Sequence, residues 1–139
     1  MSPNPRCKSD ALLKALADRG GVIGILAVPN ILSDSPDQGI EEVLRNIDHA
    51  VKIAGMDAVA VGTDTFFGDH VELHKRMLES VSLGKQLSKG FPARYMRGIE
   101  NPGDFGNITR GLVKRGYAEG DIRKIIGGNV LRLLEEVVG

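Results

Sequence analysis

The chain has 139 residues, enough for one domain of ordinary size, and its 18 Lys+Arg balance 18 Asp+Glu. A net charge of zero excludes a dedicated nucleic-acid binder, which carries a strong basic excess. A hydrophobic content of 42% with 26% charged residues describes a globular chain, and the single cysteine, Cys7, excludes an internal disulfide framework. The longest apolar stretch, Gly20 to Pro29, is too short to span a bilayer, and no signal peptide opens the chain. The expectation is a soluble, cytoplasmic protein. The 18 glycines, nearly twice the usual share of about 7%, suggest many tight turns between strands and helices, or close backbone approaches.

Residues 1 to 8 read as loop. Ser9 or Asp10 can cap a helix whose apolar face is Leu12, Leu13 and Leu16, stopped by Gly20 and Gly21. Val22 to Val28 is apolar on both parities and rich in β-branched residues, which predicts a strand buried on both faces. Pro29 ends it. Ile40, Val43, Leu44, Ile47, Ala50, Val51 and Ala54 recur at helical spacing and give the clearest amphipathic helix, with Glu41 and Glu42 in its first turn. Ala58 to Gly62 follows as a second apolar strand ending in Thr63-Asp64. Strand, helix, strand is a βαβ unit, so the two strands should be parallel.

The second half is less regular. Residues 69 to 88 suit a helix through Val71, Leu73, Met77, Leu78 and Val81, interrupted by Gly84. Residues 90 to 107 read as a long loop with a short strand around Met96 to Ile99. Asn107 is expected to cap a helix stopped by Gly116, and Ala118 to Ile126 another, broken at Gly127-Gly128. Asn129 should cap the last helix. The order is α/β in one domain, residues 1–139. Two or three parallel strands cannot close a barrel, and a complete eight-stranded one takes roughly 250 residues.

Several stretches together resemble the C-terminal portion of the renal (membrane) dipeptidase family. They are Asn4-Pro5-Arg6, Arg19 to Ile25, Ile47 to Val51, Gly62-Thr63-Asp64, Arg115-Gly116-Tyr117, and Asp121 to Arg132. The resemblance implies the last βα units of a partial (β/α)8 barrel of the metallo-dependent hydrolase type, from a family that hydrolyses dipeptides with two zinc ions. It implies that Asp64 is the catalytic acid/base at a strand end and that Arg6 binds substrate. The family's metal ligands, a His-x-Asp pair, a bridging glutamate and two histidines, lie before the stretch matched here. The family's Asp-Phe-Asp-Gly reads Asp64-Thr65-Phe66-Phe67-Gly68, without its second acid. The expectation is a chain inactive alone, either a truncated product or half of a split enzyme.

Other readings stand beside it. A non-catalytic homo-oligomer or interaction protein would bury its strand edges by self-association, and a complementing N-terminal half would do so in a split enzyme. A small metal-binding protein could use His70 and His74, four residues apart on one helix face, with Asp69 as third ligand, although a polar helix start explains them more simply. His49 reads as structural. Gly127-Gly128-Asn129 reads as a capped helix break rather than a phosphate site. The basic residues Arg110 to Arg132 read as solvated helix faces, and Cys7 has no base beside it to make it a nucleophile.

Overall fold

The computed structural model describes residues 6–29, 31–32, 38–80 and 94–139. Its centre is a parallel pair of short strands, β1 (Ile23–Ile25) and β2 (Val59–Val61), with Ile23 opposite Val59 and Ile25 opposite Val61. The ladder runs on past both strands. Gly62 donates its N–H to the Ile25 carbonyl at 3.0 Å, and Ala27 donates to the Thr63 carbonyl at 3.0 Å. Val59 and Ala60, on opposite faces, are both buried, as the apolar run predicted. β1 departs from that expectation: Ile25 is buried, but Gly24 on the other face is exposed.

Between the strands lies α2 (Ile40–Ala54), with its dipole-favoured acids in the first turn and Gly55 at its end, where φ of +83° suits glycine. Val43, Leu44, Ile47 and Ala50 turn inward and are at most 2% exposed, which places the predicted stripe on the core. α1 (Asp10–Ala17) is capped by Ser9, whose hydroxyl accepts from the Leu12 N–H at 3.3 Å. Leu13 alone of its expected face is fully buried. Leu12, just over a quarter turn away, is 52% exposed, because α1 meets the protein along a narrow strip.

α3 (His70–Ser80) confirms the start of the predicted helix 69–88; residues 81–93, including the expected break at Gly84, lie outside the described residues. The expected short strand at Met96 to Ile99 is a single parallel bridge between Gly39 and Arg97. Its flanks, Met96 and Ile99, are buried in the core. A capping box of Asn101 and Asp104 opens a single tight turn, Pro102–Phe105, that leads into α4 (Gly106–Lys114). Asn107 is therefore not the cap. It already lies in the helix, and its amide donates to the Gly98 carbonyl at 2.9 Å.

The chain ends in α5 (Glu119–Arg123), a wide turn Lys124–Gly128, and α6 (Asn129–Val138). The break at Gly127-Gly128 is where the sequence placed it, but Asn129 does not cap α6. Its side chain turns inward, is 2% exposed, and donates to the carbonyls of Met56 and Val59, both at 2.8 Å. Arg132, one turn on, donates to the carbonyls of Gly20 and Asp57 at 3.2 Å. α6 is thereby tied to the approaches of both strands. No helix among the described residues is long and apolar enough to cross a membrane.

α4 and α2 approach closely because Gly111 has no side chain. A Cβ there would lie 2.4 Å from Cδ1 of Leu44, which is 1% exposed and has no room to move. Gly111→Ala should therefore lower stability by about 1–3 kcal/mol in urea unfolding, against a helix-propensity gain of at most about 1 kcal/mol. A gain in stability would show that the two helices are not in contact there.

Candidate functional site

The end of β2 presents the first candidate, Asp64. The Thr63 carbonyl before it is held by Ala27, and the Thr63 and Thr65 hydroxyls hydrogen-bond across it at 2.9 Å. Asp64 itself has φ +59° and is the one non-glycine residue with positive φ among the described residues. It is also exposed. A left-handed backbone costs an ordinary residue about 1–2 kcal/mol, less for Asp, whose short side chain can bond locally. Such placements collect at working sites, where the fold over-determines them. The sequence marked Asp64 through its strand-end position; its unusual backbone left no signal there.

Arg6 lies in an exposed turn. Its neighbour Cys7 donates its thiol to the Ile31 carbonyl at 3.1 Å, which pins the start of the chain to the loop leaving β1. Both Arg6 and Asp64 therefore attach where the parallel strands run out, the end at which α/β folds place their ligands. The described residues show no contact between the two.

Asp69 is already engaged. Its Oδ1 accepts the Glu72 N–H at 3.0 Å, as an N-cap of α3, and also accepts the Tyr95 hydroxyl. The carboxylate holds that hydroxyl above its ordinary pKa. The side chains of His70 and His74 lie outside the described part of α3. No group of three or more His, Cys, Asp or Glu among the described residues could hold a metal ion.

His49 does what the sequence suggested. Its Nε2 meets Asp10 Oδ1 at 2.8 Å and ties α2 to α1. The neighbouring Asp48 has a larger task. It accepts from Arg115 Nε at 2.9 Å and from the Tyr117 hydroxyl at 2.8 Å, while Arg115 also donates to Glu41 at 3.0 Å. This network joins α2 to the turn between α4 and α5. Burial, and then the adjacent Asp48 carboxylate, push the Tyr117 hydroxyl well above its ordinary pKa. The residues carrying the resemblance thus divide in two. Asp48, Arg115, Tyr117, Asn129 and Arg132 bind the scaffold together, and Asp64 and Arg6 stand at the open end.

The sequence model of the family described as membrane dipeptidase (peptidase family M19) matches residues 1–95 and 78–138. Dipeptidase ataJ of Aspergillus terreus is 28% identical over 99% of this chain, and dipeptidase tcpJ of Claviceps purpurea 24% over 97%. The chain spans only 28% and 26% of their lengths. Among solved structures, an amidohydrolase from Pseudomonas aeruginosa superposes with a TM-score of 0.75 at 32% identity, over 97% of this chain and 42% of its own. A metallo peptidase from Rhodobacter sphaeroides, solved with a phosphinate mimic of the dipeptide L-Ala-D-Ala, superposes with a TM-score of 0.68 at 23% identity, over 94% of this chain and 31% of its own.

Two predictions follow from the geometry. At a left-handed position glycine outdoes alanine, so Asp64→Gly should be more stable than Asp64→Ala by about 1 kcal/mol in thermal unfolding. The reverse order would place residue 64 in an ordinary backbone region. For Tyr117 the folded pKa is raised. Its stabilising contribution is complete below the unfolded value of about 10 and is lost as pH rises beyond it. Stability should fall above about pH 10, and Tyr117→Phe should make that fall shallower in unfolding measured across the alkaline range. An unchanged pH profile in Tyr117→Phe would mean that the hydroxyl is not held by Asp48.

Proposed function

Because this chain belongs to the membrane dipeptidase family, we propose that it is the C-terminal, substrate-facing portion of a dipeptidase barrel, folded as one domain over residues 1–139. The reaction is hydrolysis of the peptide bond of a dipeptide. Arg6 takes a substrate carboxylate, for which a guanidinium fork is suited. Asp64 accepts a proton from the attacking water and, as the neutral acid so formed, hydrogen-bonds the tetrahedral intermediate and returns the proton to the leaving amine.

The observation that carries this reading is Asp64: an exposed acid in a left-handed backbone at the outgoing end of a strand buried on both faces. The family's zinc ions have no donor set among the described residues. On this reading the chain's own share is substrate binding and proton transfer, and it is inactive by itself. The dipeptide mimic on the Rhodobacter sphaeroides enzyme supports the substrate class.

The test is Asp64→Asn in the chain completed by the remainder of the family fold. Asn tolerates the left-handed backbone as Asp does, so the loop keeps its shape while the proton carrier is lost. Turnover of a dipeptide should fall by about 10²–10⁴-fold with little change in KM. A variant within a few-fold of the parent would remove Asp64 from the chemistry. A second reading, a non-catalytic protein that assembles through its open surfaces, is favoured by the exposed apolar residues of α6. It requires that the completed chain show no hydrolysis at all.

A further inference from the structure

The loop from β2 to α3 is held at both ends. Asp64 and Gly68 take positive φ of +59° and +84°, and the Thr63 and Thr65 hydroxyls meet at 2.9 Å. At the far end Asp69 caps α3 and accepts the Tyr95 hydroxyl. Between Asp64 and Asp69 stand Thr65, Phe66, Phe67 and Gly68, none of them charged. Phe66 is 57% exposed and Phe67 84%. The chain has four phenylalanines, so half of them stand on this one short loop beside the candidate acid. Two neighbouring rings in water keep most of their burial energy available to an apolar ligand.

The proposed chemistry says which part of a substrate meets them. Hydrolysis breaks the bond to the nitrogen of the C-terminal residue. Asp64 returns a proton to that nitrogen, which requires the two to come within hydrogen-bond reach, about 3 Å. The side chain of the same residue starts two bonds from the nitrogen, closer than any side-chain atom of the N-terminal residue. Phe66 follows Asp64 by two residues, at most about 7 Å of chain. The C-terminal side chain is therefore the part of a dipeptide that starts nearest the two rings.

We propose that Phe66 and Phe67 form the subsite for the side chain of the substrate's C-terminal residue and select a bulky apolar one, aliphatic or aromatic. The proposal rests on the dipeptidase reading above and names its substrate class. Phenyl rings gain by covering apolar carbon, and they give a carboxylate no hydrogen bond in exchange for its lost water. A glycine at that position leaves both rings in water. Packing of the rings against another part of a larger fold would serve folding instead of selection, and the two roles have different kinetic signatures.

The test compares kcat/KM between dipeptides in the chain completed by the remainder of the family fold. The parent should have a kcat/KM for alanyl-leucine at least about tenfold above that for alanyl-glycine. The double variant Phe66→Ser, Phe67→Ser changes only exposed side chains, so its circular dichroism should match the parent's. In the variant the preference should fall to within about threefold. The ratio between leucyl-alanine and glycyl-alanine, which varies the N-terminal residue, should be the same in both proteins. A parent that does not distinguish alanyl-leucine from alanyl-glycine overturns the proposal. So does a variant that loses activity equally on both, because the rings then support the fold. A variant that shifts the leucyl-alanine ratio instead overturns the assignment to the C-terminal residue. A parent that turns over no dipeptide removes the dipeptidase reading and the subsite with it, whereas turnover without the preference removes the subsite alone.

Discussion

The two hydrogen bonds from the buried Asn129 amide to the carbonyls of Met56 and Val59 are the constraint from which the site follows. They fix where β2 begins. Burying that amide without partners would be costly, so α6 cannot slide along the sheet without leaving it unsatisfied. With the start of β2 fixed and its register against β1 set from Ile23–Val59 to Ile25–Val61, the point at which it runs out is fixed too. That point is Thr63-Asp64. The geometry of the candidate acid is thus set by contacts at the other end of the strand.

A second network works in the same way on the flank. Asp48, Arg115, Tyr117 and Glu41 join α2 to the turn after α4. Exposed ion pairs contribute little, but here the Arg115 side chain is three-quarters covered and donates to two carboxylates. The close approach of Gly111 to Leu44 brings the same two helices together from the core side. Polar tie and apolar contact agree on one placement of α4 against α2, which is the mark of a well-specified packing.

The most legible elements were those whose pattern is local. α2 announced itself because seven apolar positions at helical spacing leave no other way to bury them. The strands were legible as runs, although Gly24 shows that β1 has one open face that an apolar string cannot reveal. Asn101 and Asn129 show where local reading fails. Asn129 follows two glycines and precedes a helix, so its sequence says cap; its partners lie some seventy residues back, at Met56 and Val59. Asn101 caps through a tight turn that precedes the helix proper, six residues earlier than the sequence suggested. Of the candidate site, the identity and position of Asp64 were readable from the strand end and the family resemblance. Its left-handed backbone was not, because Asp adopts many conformations after a strand. The engagement of Asp69 as a helix cap was weighed in advance as a polar helix start, and its bond to Tyr95 bridges residues that no local pattern connects.

The account joins a scaffold built by Asn129 and Asp48 to an open end that carries Asp64 and Arg6, and it assigns no metal to the described residues. The most direct test is metal content by native mass spectrometry on the purified chain, after zinc loading and desalting, with a dipeptide hydrolysis assay on the same sample. The account predicts no retained zinc and no turnover. One or two tightly held zinc ions per chain, with turnover, would contradict it.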